Sequence, residues 1–175
     1  MAYGIGRHRT LQQDSAFGIR QIVDMALRAL SPSINDTTTA VICVDNSTAI
    51  LTQLATRDTP SPRRHEDEEL RVIALGPTFA SLAAEAFDQI RDSGSGNVAI
   101  LLRMLAAVEI IASLIDNPGR RQVLREHAQW LAESGERTLK SPRDRVRFES
   151  RLAQVRAALA AAPSPKPNQP AKALS

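Results

Sequence analysis

Residues 98–115 read VAILLRMLAAVEIIASLI and form the longest apolar stretch of the chain. Arg103 and Glu109 interrupt it, and charges near the middle of a membrane span are costly in lipid. Asn97 is a suitable N-cap at its start, and Asn117-Pro118-Gly119 ends it. The stretch is therefore predicted to be a core helix, and we expect no transmembrane segment in this chain.

The composition indicates one globular domain of helices. The chain has 175 residues, 43% hydrophobic and 23% charged, which excludes a mostly disordered protein and a polytopic membrane protein. It holds 26 Ala but only six aromatic residues, so helices can approach closely while strands are disfavoured. The single cysteine, Cys43, excludes an internal disulfide.

Apolar residues at helical spacing predict about six helices in all. The others are about Thr10–Leu30, Thr37–Thr56, Thr78–Asp92, Arg120–Thr138 and a helix beginning at Ser141-Pro142. Ser31-Pro32 ends the first and Asn35 or Asp36 caps the second, so these two should form an antiparallel hairpin. The predicted fold class is mainly α, an irregular bundle that begins with this hairpin, with at most one or two short strands near 70–76.

The remaining segments set the predicted domain limits. Residues 57–69 are polar and indicate an exposed loop, whereas Leu70–Leu75 is the one credible strand, expected to pair only with something outside this chain. Residues 1–9 are a lead-in, residues 10–160 the helical domain, and the proline-rich residues 161–175 a disordered tail.

Charge is distributed unevenly along the chain. Residues 1–116 carry 10 Lys or Arg and 14 Asp or Glu, whereas residues 117–175 carry 12 and 5. The basic part could bind anionic lipid, nucleic acid or the acidic part of the same chain. Its candidate basic face is Arg143, Arg145, Arg147, Arg151 and Arg156. Nucleic acid is the less favoured ligand, because no aromatic residues accompany these arginines on an open face.

Two charged sets lie at helical spacing. Arg20, Asp24 and Arg28 form an i, i+4, i+8 ladder, which either binds an anionic ligand or holds a neighbouring helix. Glu85, Asp88 and Asp92 put acids near a helix C-terminus, where the helix dipole is unfavourable for them. This second set should therefore have a compensating cation: Arg91, a basic helix from the C-terminal third or, less favoured, a metal ion.

No catalytic, metal or cofactor motif emerges from the residues. His8, His65 and His127 stand alone, without zinc-ligand spacing, and His127 is expected in the core. Cys43 lies in an apolar run and is expected to be a buried, inert thiol. We therefore predict no cofactor, no metal and, more plausibly than an enzyme, a non-enzymatic module.

An ordered string of residues resembles a known family. It comprises Gly6-Arg7-His8-Arg9-Thr10, Gln13-Asp14, Phe17–Gln21, Asp24-Met25-Ala26, Arg28–Pro32, Asn35-Asp36, Thr39-Ala40, Phe87–Arg91 and Gly96-Asn97. It is similar to the C-terminal region of bacterial predicted membrane proteins grouped as domain of unknown function 2254, over about residues 5–160. The family's usual proline after Asn-Asp is Thr37 here. The matching polar positions form a candidate polar site: Asp14, Arg20, Asp24, Arg28, Asn35 and Asp36.

The resemblance implies a context rather than a reaction. Family members place several transmembrane helices and a small domain before this region, so the chain corresponds to a short family member or a fragment. We expect an interaction or assembly module without catalysis, with itself or membrane-embedded family members as partners. The alternatives are a small-ligand or enzymatic site around helix one and the Ser31–Asp36 turn, and basic-face binding to anionic lipid or nucleic acid. The family implies membrane association; this chain alone is expected to be soluble and cytoplasmic.

Overall fold

A computed structural model describes residues 15–57, 63–66, 69–73 and 76–161. Its elements are α1 (Ser15–Ala29), α2 (Thr37–Thr56), β1 (Arg63–Glu66), β2 (Glu69–Ile73), α3 (Phe79–Ser93), α4 (Val98–Ala112), α5 (Pro118–Thr138) and α6 (Pro142–Ala160). The mainly α prediction is confirmed, and α2 has the predicted bounds. The predicted lead-in 1–9, residues 10–14 of the first predicted helix and residues 162–175 of the tail lie outside the described residues.

Local signals build the α1–α2 hairpin. Of the two N-cap candidates, Asp36 caps α2, because its Oδ1 accepts a hydrogen bond from the backbone N–H of Thr39 at 3.0 Å. Asn35 instead adopts a left-handed backbone with φ of 48°, a conformation that asparagine tolerates better than most residues. The turn therefore uses both polar residues, one for the backbone conformation and one for the cap.

The expectation of an unpaired strand is wrong. β2 pairs antiparallel with β1, in a register that places Arg63 opposite Ile73 and Arg64 opposite Val72. Thus part of the expected 57–69 loop is a strand. Its charged sequence gave no strand signal, but antiparallel neighbours need only a short connection, so a partner from the same chain was within reach.

The core sits around α4, which contacts α2, α3, α5 and α6. Every helix contributes buried apolar side chains, and several contacts are made through alanine: Ala26, Ala40, Ala83 and Ala86 are fully buried. Small side chains let the helices approach closely, as the composition predicts. Asn97 caps α4 and Ser141 caps α6, both as predicted.

Candidate functional site

Arg20 and Asp24 of the candidate polar site form an ion pair, with Arg20 Nε 3.2 Å from Asp24 Oδ1. Arg20 also reaches another helix, since its Nη1 lies 3.2 Å from Oε1 of Glu85 on α3. The arginine therefore ties α1 to α3. In this contact Arg20 holds a neighbouring helix, which is one of the two roles considered for the ladder.

The other described members of the polar site do not join this pair. Arg28 is exposed and makes no hydrogen bond or ion pair with any residue that the structure describes. Asn35 lies in the α1–α2 turn, and Asp36 caps α2. Hydrogen bonds from the Thr39 hydroxyl and then the Thr39 backbone lower the pKa of the Asp36 carboxyl. Asp14 lies outside the described residues.

The acidic stripe on α3 has the compensating cation predicted for it. Arg91 Nη1 lies 2.8 Å from Asp88 Oδ1, and its Nη2 lies 3.1 Å from Asp92 Oδ1. Glu85 is compensated by Arg20, a partner from α1 that the sequence did not identify. Among the described residues no cluster of three or more His, Cys, Asp or Glu side chains could hold a metal ion.

A polar cleft of about 310 Å³ lies between α3 and α5, beside His127. His127 is buried as predicted, and its ring packs edge-on against Phe87 and Trp130, with centroids 5.7 and 4.9 Å away. Burial lowers the pKa of His127 to about 4, although Asp88, with its Oδ1 3.8 Å from Nδ1, opposes the shift. Arg91 lies over the Trp130 ring at 5.6 Å. These ion pairs and ring contacts join α3 to α5.

The candidate basic face is largely engaged with its own chain. Arg145 donates to the Leu139 carbonyl at 2.5 Å, and Arg156 donates to Gln129 at 3.3 Å. Arg151 pairs with Glu109 of α4, and Arg147 lies 3.7 Å from Asp144. Arg143 is exposed and forms no hydrogen bond or ion pair within the described part of the chain.

Two residues that sequence reasoning missed are Arg120 and Arg121, here called the Arg120–Arg121 pair. Arg120 donates to backbone carbonyls at the end of α2, including that of Ala55 at 2.6 Å. Arg121 is 5% exposed and donates to carbonyls at the ends of α4 and α6, at 2.8–3.3 Å. Consecutive side chains thus satisfy the free carbonyls of three helices. The available signal was two cations in a helix's first turn, where the dipole favours anions.

The surface shared by α2 and α4 carries three exposed large apolar side chains. We call it the α2–α4 face and define it by Ile42, Asp45, Ala49, Thr52, Gln53 and Thr56 of α2, Ala99, Arg103 and Ile110 of α4, and Leu114 in the turn that follows α4. Ile42, Ile110 and Leu114 are 52%, 47% and 41% exposed. At its middle Asp45 accepts a hydrogen bond from Arg103, which raises the pKa of the guanidinium.

A cleft of about 480 Å³ runs along this face between the two helices. Ala49, Ala107 and Ile110 form its apolar wall, and the buried Oγ1 of Thr52 has no hydrogen-bond partner there among the described residues. The helices are parallel, because Asn97 Nδ2 donates to Thr37 Oγ1 at 2.7 Å at their starts and the Arg120–Arg121 pair joins their ends. The cleft is therefore fixed at both ends.

Comparison with known proteins places the chain in a wider group. The family model described as "Predicted membrane protein (DUF2254)" matches residues 1–109. Uncharacterized proteins of Mycobacterium tuberculosis and Mycobacterium bovis are each 37% identical over 143 residues, covering 81% of this chain and 27% of the relative. The chain thus spans about a quarter of the length of the curated relatives it matches. No solved structure matches. None of the described helices combines the length and hydrophobicity needed to cross a membrane.

Proposed function

We propose that this chain, which belongs to the predicted membrane protein family DUF2254, is a non-catalytic interaction module. Its α2–α4 face assembles with another family chain, either a membrane-anchored member or a second copy. The polar residues of α1 and its turn serve as scaffolding, with Arg20 joining α1 to α3 and Asp36 capping α2. Arg151 and Arg156 similarly join α6 to α4 and α5.

The proposal rests on one observation: α4 has more apolar side chains than the neighbouring helices cover. Thirteen of its fifteen residues are apolar, a composition typical of a helix buried on all sides. Its two charged residues are both neutralised within the chain, Arg103 by Asp45 and Glu109 by Arg151. Yet Ile110 of α4 and Leu114, in the turn directly after it, remain more than two-fifths exposed. Contiguous exposed apolar surface of this kind marks protein interaction sites.

A binding measurement tests the proposal. The full chain is titrated against itself and against the purified mycobacterial relative held in lipid nanodiscs, and compared with an Ile110→Asp variant. A charge buried in an apolar interface should weaken either association by roughly tenfold or more. The matched control is Val146→Asp, at a 66% exposed position on α6, which should bind like the unmodified chain.

Two results would contradict the proposal. One is the absence of both associations at concentrations up to about 100 µM, where even weak specific contacts are populated. The other is equal loss of binding in the Ile110→Asp and Val146→Asp variants, because the association would then not depend on the α2–α4 face.

A further inference from the structure

We propose that the partner on the α2–α4 face is a second copy of this chain, packed face to face about a two-fold axis that runs along the cleft. In this arrangement α2 of each copy lies on α4 of the other, and each Asp45 faces the other copy's Arg103. The inference rests on the proposed function and adds the partner and its geometry.

Charge complementarity selects the second copy. The face carries one acid and one base, Asp45 and Arg103, and both side chains are partly exposed, at 38% and 44%. A surface with equal and opposite charges is complementary to itself, whereas a surface of one sign repels its own copy. A membrane surface would instead favour a basic rim with aromatic residues. No Lys and no aromatic residue belongs to this face.

The Asp45–Arg103 ion pair also indicates the direction of the two-fold axis. The charged groups of Asp45 and Arg103 lie at the same level along the cleft, since they are hydrogen-bonded across it. Rotation about an axis along the cleft exchanges the two sides and places the acid of one copy opposite the base of the other. Rotation about an axis across the cleft places α2 on α2 and Asp45 opposite Asp45, which is repulsive.

Side-chain size agrees with this choice. Thr52 of α2 and Ile110 of α4 line the same cleft, each seven residues beyond its helix's member of the ion pair. Towards the helix starts the sizes are reversed, because Ile42 of α2 lies near the level of Ala99 of α4. Laying α2 of one copy on α4 of the other therefore seats a large side chain against a smaller one at two places, Ile110 against Thr52 and Ile42 against Ala99.

The size of the face predicts a weak dimer. α4 is about 22 Å long, and two packed helices present a surface about 20 Å wide. The face is thus on the order of 450 Å², below the roughly 800 Å² per partner of a standard stable interface. We expect a dissociation constant of about 10–100 µM, so the test must reach high protein concentrations.

Charge reversal on the full chain provides the test. Sedimentation velocity is measured from about 1 to about 500 µM for the unmodified chain, Asp45→Arg, Arg103→Asp and their equimolar mixture. Each variant alone should dimerise at least roughly tenfold more weakly, because like charges face each other. The mixture should form a one-to-one heterodimer, because one copy then carries two bases against two acids. The doubly substituted chain D45R/R103D should dimerise like the unmodified chain.

A second measurement tests the same geometry without the charge-reversal variants, in case those variants fold poorly. In a Cys43→Ser background, Ile110→Cys chains are mixed with Gln53→Cys chains under mild oxidation. Disulfide-linked heterodimers should form in the mixture and exceed homodimers of either chain, because the proposed axis places α4 of one copy on α2 of the other. Predominant homodimers of the Ile110→Cys chain would overturn the geometry.

Failure of this inference is distinguishable from failure of the proposed function. A monomer at every concentration that still binds the mycobacterial relative through Ile110 removes the second copy and leaves the interaction module. A monomer that binds vesicles of anionic lipid through Ile110 assigns the face to a membrane and removes the second copy as well. Single charge variants that dimerise as strongly as the unmodified chain also overturn the inference.

Discussion

Replacing Arg121 by methionine should be among the most destabilising changes to this fold. The guanidinium is buried and donates to five backbone carbonyls, those of Ala112 and Ile115 after α4 and those of Ala158, Leu159 and Ala161 after α6. Methionine keeps the unbranched apolar stem and fits irregular space, so the loss is concentrated in the hydrogen bonds and the charge.

The magnitude follows from counting donors and then subtracting the cost of burying the cation. The two Nη atoms have four N–H groups, and charge-assisted hydrogen bonds contribute about 1.5–3 kcal/mol each. Desolvation of the guanidinium offsets several kcal/mol of that sum, and some of the freed carbonyls regain water. We expect the free energy of unfolding to fall by about 3–4 kcal/mol, with the melting temperature lower by about 10 °C.

Urea denaturation followed by circular dichroism and Trp130 fluorescence measures this change. Arg121→Lys should give an intermediate loss, because an ammonium keeps the charge but does not span the ends of α4 and α6. Arg143→Met, at an exposed position without a partner among the described residues, should change the free energy by less than about 0.5 kcal/mol. A loss below about 1 kcal/mol for Arg121→Met would refute the capping argument.

Three further predictions follow from buried groups. A Cβ added at Gly135 would lie 2.4 Å from Cε1 of Phe148, so Gly135→Ala should lower the free energy of unfolding in urea melts by about 1–3 kcal/mol. Adding Phe148→Leu should recover part of this loss. A Gly135→Ala chain as stable as the unmodified chain would contradict this packing. His127 has a pKa of about 4 when folded and about 6.5 when unfolded. In this pH range the unfolded chain therefore binds a proton that the folded chain does not, and the free energy of unfolding should fall by about 3 kcal/mol between pH 6.5 and pH 4. Urea melts of His127→Phe at several pH values should lack this dependence. An unchanged pH dependence in that variant would show that other groups cause it. Burial raises the pKa of the Cys43 thiol, so its reaction with a disulfide reagent at pH 8 should be at least about 100-fold slower in the folded chain than in urea, and equal rates would show that the thiol is open to solvent.

Features set by neighbouring residues could be predicted from the sequence. Ser31-Pro32 ends α1 and Asp36 caps α2 within the next few residues, so the hairpin and the bounds of α2 follow from short-range chemistry. The burial of Cys43 and His127 likewise follows from the apolar side of the helix on which each lies.

Features set by residues distant in sequence could not be predicted. The Arg20–Glu85 pair joins residues 65 positions apart, and either residue alone is an ordinary surface charge. The carbonyls that Arg121 satisfies come together only after α4, α5 and α6 have packed. The same reason hid the α2–α4 face, because helical periodicity marks apolar positions without saying which of them a neighbouring helix covers.

The placement of the polar contacts explains how an apolar face can remain open without weakening the fold. The Arg120–Arg121 pair holds the ends of α2 and α4, and Asn97 joins their starts, so the cleft keeps its shape with no partner present. A face held in its binding geometry loses little conformational entropy on association, which favours binding even across a small area. The charges of α4 are likewise paired within the chain, so neither is left without a counter-charge when no partner is present. The contacts that stabilise the isolated chain are thus the ones that hold the α2–α4 face in the geometry that the proposed dimer requires.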